Sequence, residues 1–438
     1  MEQQTCARDF ARYTVLSVLG TLGVSCYILA DTFFVSKGLG TNGLTALNLA
    51  IPIYNFIHGS GLMLGMGGAT KFSIYKSQGR SRDIDCIYTN TLYLAALLSA
   101  LFFLTGLLFS GQLSLLLGAD GTVFAMTETY LRWLLLFAPA FILNDVFLCY
   151  VRNDGSPQLA MVAMLIGSFA NIVLDYVFIF PFRMGIFGAI FATGLSPIIS
   201  IAVMSPHWLR KRHSFHLTKV KPDAAVMGQT VSLGFPSLIA QLSSGIVMIT
   251  FNALILGITG NTGVAAYGVV ANISLVVVAV YTGISQGMQP LVSSAYGRGN
   301  RPQMREVLRY ALGTTLAVSG LVYLFLFVFA SPVAAVFNSE RDPILQQIAV
   351  SGLKLYFLSV PFAGYNIILA TYFTSIERAL PAHVLSLLRG LILIIPMAFL
   401  MSFLLGMTGI WISYPLTELA VAAAGVAAHR HMKARGRT

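Results

Sequence analysis

Charge is what this chain has least of. Asp, Glu, Lys and Arg together make up 10% of its 438 residues, against 56% hydrophobic, and the mean hydropathy is +0.78. A string of soluble domains needs more charged surface than that, so this organisation is excluded. Cysteine is equally sparse: Cys6, Cys26, Cys86 and Cys149 are scattered, with no C-x-x-C and no partners at metal-ligand spacing. Disulfides are not implied. Also missing are H-E-x-x-H, a D-D-x-x-D cluster and a plausible nucleophile and base pair, which argues against an intramembrane enzyme. Glycine-rich LGMGGAT, from Leu64, is no phosphate loop, because no strand precedes it and no G-K-[ST] follows. Its small residues would instead let helices approach closely. No period-two alternation with turn punctuation marks a transmembrane barrel. The N-terminus MEQQTCARDFAR lacks the pattern of a removable signal peptide, so the first helix is expected to direct insertion.

What is there is a series of long apolar runs, each able to cross a hydrocarbon core of roughly 30 Å. They predict an all-α polytopic membrane protein with twelve spans, at 10–36, 44–74, 88–112, 124–150, 157–181, 184–205, 227–257, 263–294, 306–332, 343–373, 380–404 and 408–430. The net charge of +11 invites a nucleic-acid reading that the placement of the charges removes. About 21 of the 27 Lys and Arg fall in alternate connections and the two tails, as the positive-inside rule requires. The basic connections are Lys76 to Arg82, Arg152, Arg210 to Lys221, Arg298 to Arg309, Arg378 and the tail Arg430 to Arg437. The opposite set holds little beyond Lys37, Asp120, Arg183 and Glu340 to Asp342. Both termini are then expected in the cytoplasm, and the chain in the cytoplasmic membrane as a monomer. His207, His213 and His216 fall in a basic loop expected to be solvated, without the cysteine or carboxylate of a zinc site.

The longest polar interruption, from His207, divides the chain near its middle, and the two halves look alike. At a constant displacement of 220, Gly40 falls on Gly260, Gly43 on Gly263, Ala46 on Ala266, Gly67 on Gly287 and Gly79 on Gly299. Pro157 and Gly188 match Pro381 and Gly409 at nearly the same displacement. The expected organisation is an N-lobe at 1–206, an inter-lobe loop at 207–226 and a C-lobe at 227–438. The lobes would be parallel six-helix repeats with a cavity between them.

The polar residues inside the spans carry the chemistry. Asp175 lies in an apolar run with Asn171 one turn before it, so both point the same way. A carboxylate at mid-bilayer costs roughly 2.5–3.5 kcal/mol on insertion scales, and marks an ion or substrate path by default. Asp31 is its expected partner in the first span, and no Lys or Arg lies at matching depth in the N-terminal half. In the last two spans Arg389 and Glu418 have opposite signs and suggest an ion pair, with a second possible role for Glu418 in attracting cationic substrate. Lys354 is expected to snorkel outward, and Asp145 to pair locally with Arg152. Tyr27, Phe56, Met63, Tyr281, Met288 and Trp411 could line an adaptable cavity, although core or lipid-facing positions suit most of them.

Several stretches together resemble the multidrug and toxic compound extrusion family: ADTFFVSKGLG in the first span, NIVLDYVFI in the fifth, GIFGAIFAT in the sixth, GISQGMQPLVSSAYGRGN closing the eighth, and SLLRG with GIWISYPLTE in the last two. The resemblance covers nearly the whole chain. It implies an exporter of amphipathic organic cations driven by inward flow of Na⁺ or H⁺, with no other cofactor, through two lobes that open alternately. It places a coupling-cation site on Asp31, Asn171, Asp175 and Thr193. Two carboxylates, an amide and a hydroxyl suit a small cation, and two acids in low dielectric suit proton exchange. The chain departs from the family pattern at Tyr176, where proline usually follows the acid, and in having no proline before Pro52. The seventh span, from Ser232 to Gly257, carries no acid, so coupling is expected in the N-lobe. A lipid-linked precursor flippase would want a cavity ringed by several Lys or Arg, and a passive channel would dissipate its substrate gradient without ion dependence.

Overall fold

The structure is a computed structural model that describes residues 2–211, 213–338 and 341–434, with side chains described only from 5 to 430. Arg212, Glu340 and the tail side chains beyond Arg430 lie outside the described residues. Every regular element described is helical: α1 (Glu2–Ser77), α2 (Ser81–Leu116), α3 (Phe124–Leu136), α4 (Ala138–Asn153), α5 (Pro157–Ile179), α6 (Gly185–Met204), α7 (Pro206–Leu209), α8 (Ala224–Gly297), α9 (Arg301–Val328), α10 (Ala330–Phe337), α11 (Pro343–Tyr356), α12 (Val360–Ser375), α13 (Ala379–Leu387) and α14 (Ile394–Ala434). Among the described residues, eight helical stretches are long and apolar enough to cross a membrane, or nine if α3 and α4, bent by 46°, form one span.

At 76 residues, α1 would rise about 114 Å as a straight helix, several times the thickness of a hydrocarbon core. It breaks at Gly40, with φ 67° and ψ −159°. The 74-residue α8 breaks at Gly260, with φ 66° and ψ −157°, and α14 breaks at Gly406, with φ 58°. Positive φ with an extended ψ is open in practice only to glycine. The sequence predicts ordinary loops at these places; the structure has single-residue breaks, with helix on both sides. A one-residue departure leaves few backbone groups without helical partners, an advantage where water is scarce. Gly40 and Gly260, matched at the displacement of 220, thus share one rare backbone conformation. Gly79 and Gly299 match again, at φ 72° and φ 69°.

Proline explains where two other expected spans are interrupted. The fourth divides at Phe137, where Pro139 sits in the first turn of α4. The tenth divides into α11, a 3-10 turn at Phe357–Ser359, and α12, which begins with Pro361 in its first turn. In the eleventh, α13 runs into a π-turn at Leu388–Ile392, which carries Arg389.

The chain forms two compact units. One comprises 15–242 with 293–299, the other 1–14, 243–292 and 300–438. In the first, α1 crosses the start of α8 with no room for side chains: a methyl on Gly67 would lie 1.9 Å from the Thr230 carbonyl oxygen, and one on Gly234 1.7 Å from that of Met63. In the second unit, Gly364 lies against Thr315 and Tyr281, and the Tyr281 hydroxyl is 2.7 Å from Ser319 Oγ. Tyr281, Met288 and Trp411 are core residues there; in the first unit Tyr27 and Met63 are buried while Phe56 is exposed.

The basic loop after α7 is docked rather than solvated throughout. His207 is buried, with its Nε2 2.9 Å from Asp154, just after α4. Asp154 also accepts from Lys76 Nζ, from the Ser214 hydroxyl and from the Ser214 amide at 3.0 Å. Burial works to raise the pKa of Asp154, but the donors His207, Lys76 and Ser214, with the charge of Lys76, outweigh it and hold the carboxyl below its ordinary value. Further along, Thr218 and Asp223 donate backbone N–H groups to Thr89 and Asn90 of α2, at 3.1 and 2.8 Å. Asp223 then caps α8 through the amides of Ala225 and Val226.

Candidate functional site

The site in the first unit is built on glycine. Along α1, residues 20, 23, 27, 31, 34 and 38 recur at three and four, so they share one stripe. Three are glycines packed on α5: a methyl on Gly20 would meet Met164, one on Gly23 Leu165, and one on Gly38 Ile179, all within 2.8 Å. Small residues let the two helices approach closely and turn Asp31, between them on the same stripe, toward α5. There, Asn171 and Asp175 lie on the facing stripe. α5 and α6 close on each other in turn, with Ser196 Oγ donating to the Gly167 carbonyl at 2.9 Å and Gly188 seated against Phe178.

All four expected residues meet in this one place, and all are buried. Asn171 donates a long hydrogen bond of 3.4 Å to Thr193, which itself donates to the Ala189 carbonyl at 3.1 Å. Asp31 and Asp175 are close enough for one proton to bridge their carboxyls. Otherwise their oxygens go without: both of Asp175, Oδ1 of Asp31 and Oδ1 of Asn171 accept no hydrogen bond. Four hard oxygens without donors are costly in an apolar interior, and either a small cation or a shared proton relieves that cost. The chemistry of the donor set therefore fits Na⁺ or H⁺.

Other residues of the site are not evident from the sequence. Tyr130 of α3 is buried beside Thr193 and within the field of both acids. Tyr27, one turn before Asp31, has its hydroxyl 2.6 Å from that of Tyr54. Tyr54 stacks on His58, whose Nδ1 lies 2.8 Å from Asp145 Oδ2. Asp145 therefore pairs with His58 and not, as expected, with Arg152. The guanidinium of Arg152 is buried and points instead to the Met164 sulfur at 3.9 Å. Arg152 is seven positions after Asp145 along α4, and nearness in sequence misled.

In the second unit Arg389 and Glu418 meet. Arg389 Nε donates to Glu418 Oε1 at 2.5 Å, and Nη2 lies 3.4 Å from the Tyr414 hydroxyl. Asn366 of α12 completes the set by donating to Glu418 Oε2 at 2.7 Å and to its carbonyl at 2.9 Å. A lone amide in the apolar stretch GYNIILA is the only sign of Asn366 in the sequence. Tyr414 stacks flat on Tyr356, with ring centroids 4.5 Å apart. Lys354, expected to reach outward, holds its ammonium 5.1 Å from the centre of the Phe327 ring.

Long helices broken at glycine, with buried carboxylates facing each other inside the bundle, define a polytopic helical membrane transporter. The chain belongs to the MatE family, whose profile matches residues 17–177 and 236–400. Its members are transporters and not enzymes. Among curated proteins it is similar to the "Multidrug export protein MepA" of Staphylococcus saprophyticus, 23% identical over 427 residues, covering 97% of this chain and 94% of that one. The protein of the same name from Staphylococcus aureus matches at 23% over 430 residues, with the same coverage. Among solved structures, a MATE transporter in complex with MaL6 superposes with a TM-score of 0.93 at 24% identity, covering 99% of this chain and 98% of that one. An outward-facing multidrug resistance MATE transporter gives 0.92 at 24%, over 99% and 97%.

Proposed function

We propose that this protein is a secondary antiporter that exports amphipathic organic cations, driven by influx of Na⁺ or H⁺. The observation that carries this reading is the set of buried oxygens on Asp31, Asn171 and Asp175 that accept no hydrogen bond. They converge in one bundle beside Thr193, where a cation or a proton satisfies them. The multidrug exporters to which the chain is similar support the substrate class.

In the proposed cycle, the ion or proton reaches the carboxylate pair from outside and neutralises it. The helices α1 and α5, held together by glycine contacts, respond as one body, and substrate affinity falls. Because coupling between two ligands is reciprocal, bound substrate lowers ion affinity by the same factor, and the exchange follows. Two six-helix lobes, 1–206 and 227–438 with a loop at 207–226, would alternate in access. The shared backbone geometry at Gly40 and Gly260 supports an internal repeat. Counting each side of the three glycine breaks, and the bent α3–α4 pair, as spans gives twelve, consistent with both termini in the cytoplasm. The protein works as a monomer in the cytoplasmic membrane. In the second unit, the Arg389–Glu418 pair is assigned a structural role, since both Glu418 carboxylate oxygens accept hydrogen bonds, from Arg389 and from Asn366.

The test is dye efflux from cells producing D31N or D175N at matched levels. Loss of efflux in both supports the assignment. Wild-type efflux in both would defeat it.

A further inference from the structure

At one end of the second unit, the start of α9 and the ends of α12 and α14 line an open-sided cavity of about 470 Å³, with Arg305, Arg309, Gly313 and Leu316 on its exposed side. This is within the usual range for a small-molecule site. Two guanidiniums, Arg305 and Arg309, sit one turn apart at its mouth, and His429 of α14 stands with them on the lining. The hydroxyl of Tyr372 belongs to a side chain with no exposed surface, and it has no hydrogen-bond partner although it lines this cavity. A buried phenol without a partner is a cost unless something else supplies one.

The rest of the wall is apolar and directional. Leu308, between the arginines, begins a column with Leu312 and Leu316 at four-residue spacing along α9, running away from the basic end toward the hydrocarbon. Gly313 lies beside this column, and a methyl there would meet nothing within 4 Å. The cavity thus has a cationic mouth, a buried hydroxyl, and a greasy channel kept open by glycine.

We propose that this cavity binds one anionic phospholipid, with the phosphodiester on Arg305, Arg309 and the Tyr372 hydroxyl and an acyl chain along the leucine column. A free phosphate would use the mouth and leave the channel without a purpose, which favours the lipid. Anionic headgroups are attracted to basic clusters at a membrane face, and pockets between helices on that face hold them. The site is separate from the carboxylate pair and does not rest on the transport cycle proposed above.

Native mass spectrometry of the full-length protein tests this, using micelles doped with equal amounts of phosphatidylglycerol and phosphatidylcholine. The wild type should retain one phosphatidylglycerol in preference to phosphatidylcholine. In R305Q/R309Q that preference should fall roughly thirtyfold, from loss of two basic contacts near an anionic surface. G313W should lose bound lipid while keeping both arginines, since its side chain starts from a Cβ that meets no protein atom within 4 Å and extends into the channel. Unchanged phosphatidylglycerol retention in R305Q/R309Q would overturn the site. Undiminished retention in G313W would overturn the acyl channel, and displacement of the lipid by millimolar inorganic phosphate would overturn the assignment to a lipid.

Discussion

Replacing Glu418 by Gln removes one charge and changes little else, so it isolates the buried ion pair. Glu418 has no exposed surface, while the Arg389 side chain keeps 19% of its own. Breaking one partner of a fully buried pair costs about 3–5 kcal/mol, because the remaining charge is stranded. Partial access of water to Arg389 reduces this, and a glutamine can still accept from Arg389 and Asn366. A loss of about 2–4 kcal/mol is therefore expected. R389M/E418L removes both charges and replaces them with apolar volume; the Asn366 amide keeps its bond to the carbonyl of residue 418 but loses the carboxylate, and Tyr414 loses Arg389, a cost of about 1–3 kcal/mol. Since exchanging a buried pair for packed apolar groups is often neutral or stabilising, the double variant should be more stable than E418Q. Unfolding midpoints in a mild detergent, measured for wild type, E418Q, R389M and the double variant, give the coupling as a double-mutant cycle. A wild-type midpoint for E418Q, or a double variant less stable than either single one, would show that the buried pair strands no charge when broken.

Other sites give independent tests. G67A forces a methyl to within 1.9 Å of the Thr230 carbonyl, so α1 and α8 must separate; overpacking of this kind costs about 1–3 kcal/mol, visible as a lowered unfolding midpoint, whereas G313A, which meets nothing and replaces glycine inside a helix, should not lower it. G40A and G260A each impose a backbone strain of about 1–3 kcal/mol, and because the two glycines share one conformation the losses should be equal; a large difference in midpoint between the variants would contradict the shared geometry. Asp154 has its carboxyl held below the ordinary value in the folded protein, so its network contributes fully above the unfolded value near 3.9 and is lost as pH falls through the lower folded one. The midpoint gap between wild type and D154N should therefore be constant from pH 7 down to about 4 and shrink below it. An equal gap at pH 3 and pH 7 would show that the carboxylate is not what holds the loop.

The sequence shows the helical class, the apolar spans and the family because these depend on local composition and on motifs in order. It shows equally which side chains are expensive in a membrane: Asp31, Asp175, Arg389 and Glu418 stand out from their surroundings without any knowledge of the fold. What it hides is set by packing. The breaks at Gly40, Gly260 and Gly406 look like loops, because a pattern of hydrophobicity cannot distinguish one residue of positive φ from several of coil. His58 is invisible as a partner of Asp145, since the contact joins α1 to α4, while Arg152, nearer in sequence, is turned toward Met164. Asn366 escapes as a lone amide in an apolar stretch, and Tyr130 because Thr127, Glu128, Thr129 and Arg132 surround it with polar residues from which nothing singles it out. The loop with His207 looks solvated because it is polar, yet Asp154 gathers it in.

Export is proposed to be driven by an ion bound at Asp31 and Asp175. Purified protein in sealed vesicles, with the sodium gradient and the pH gradient imposed separately, measures this directly through accumulation of a fluorescent organic cation. Wild-type protein should accumulate it under one of the two gradients, and D31N/D175N under neither. Gradient-driven accumulation by the double variant, or dissipation of the substrate gradient by wild type regardless of both ions, would contradict the account.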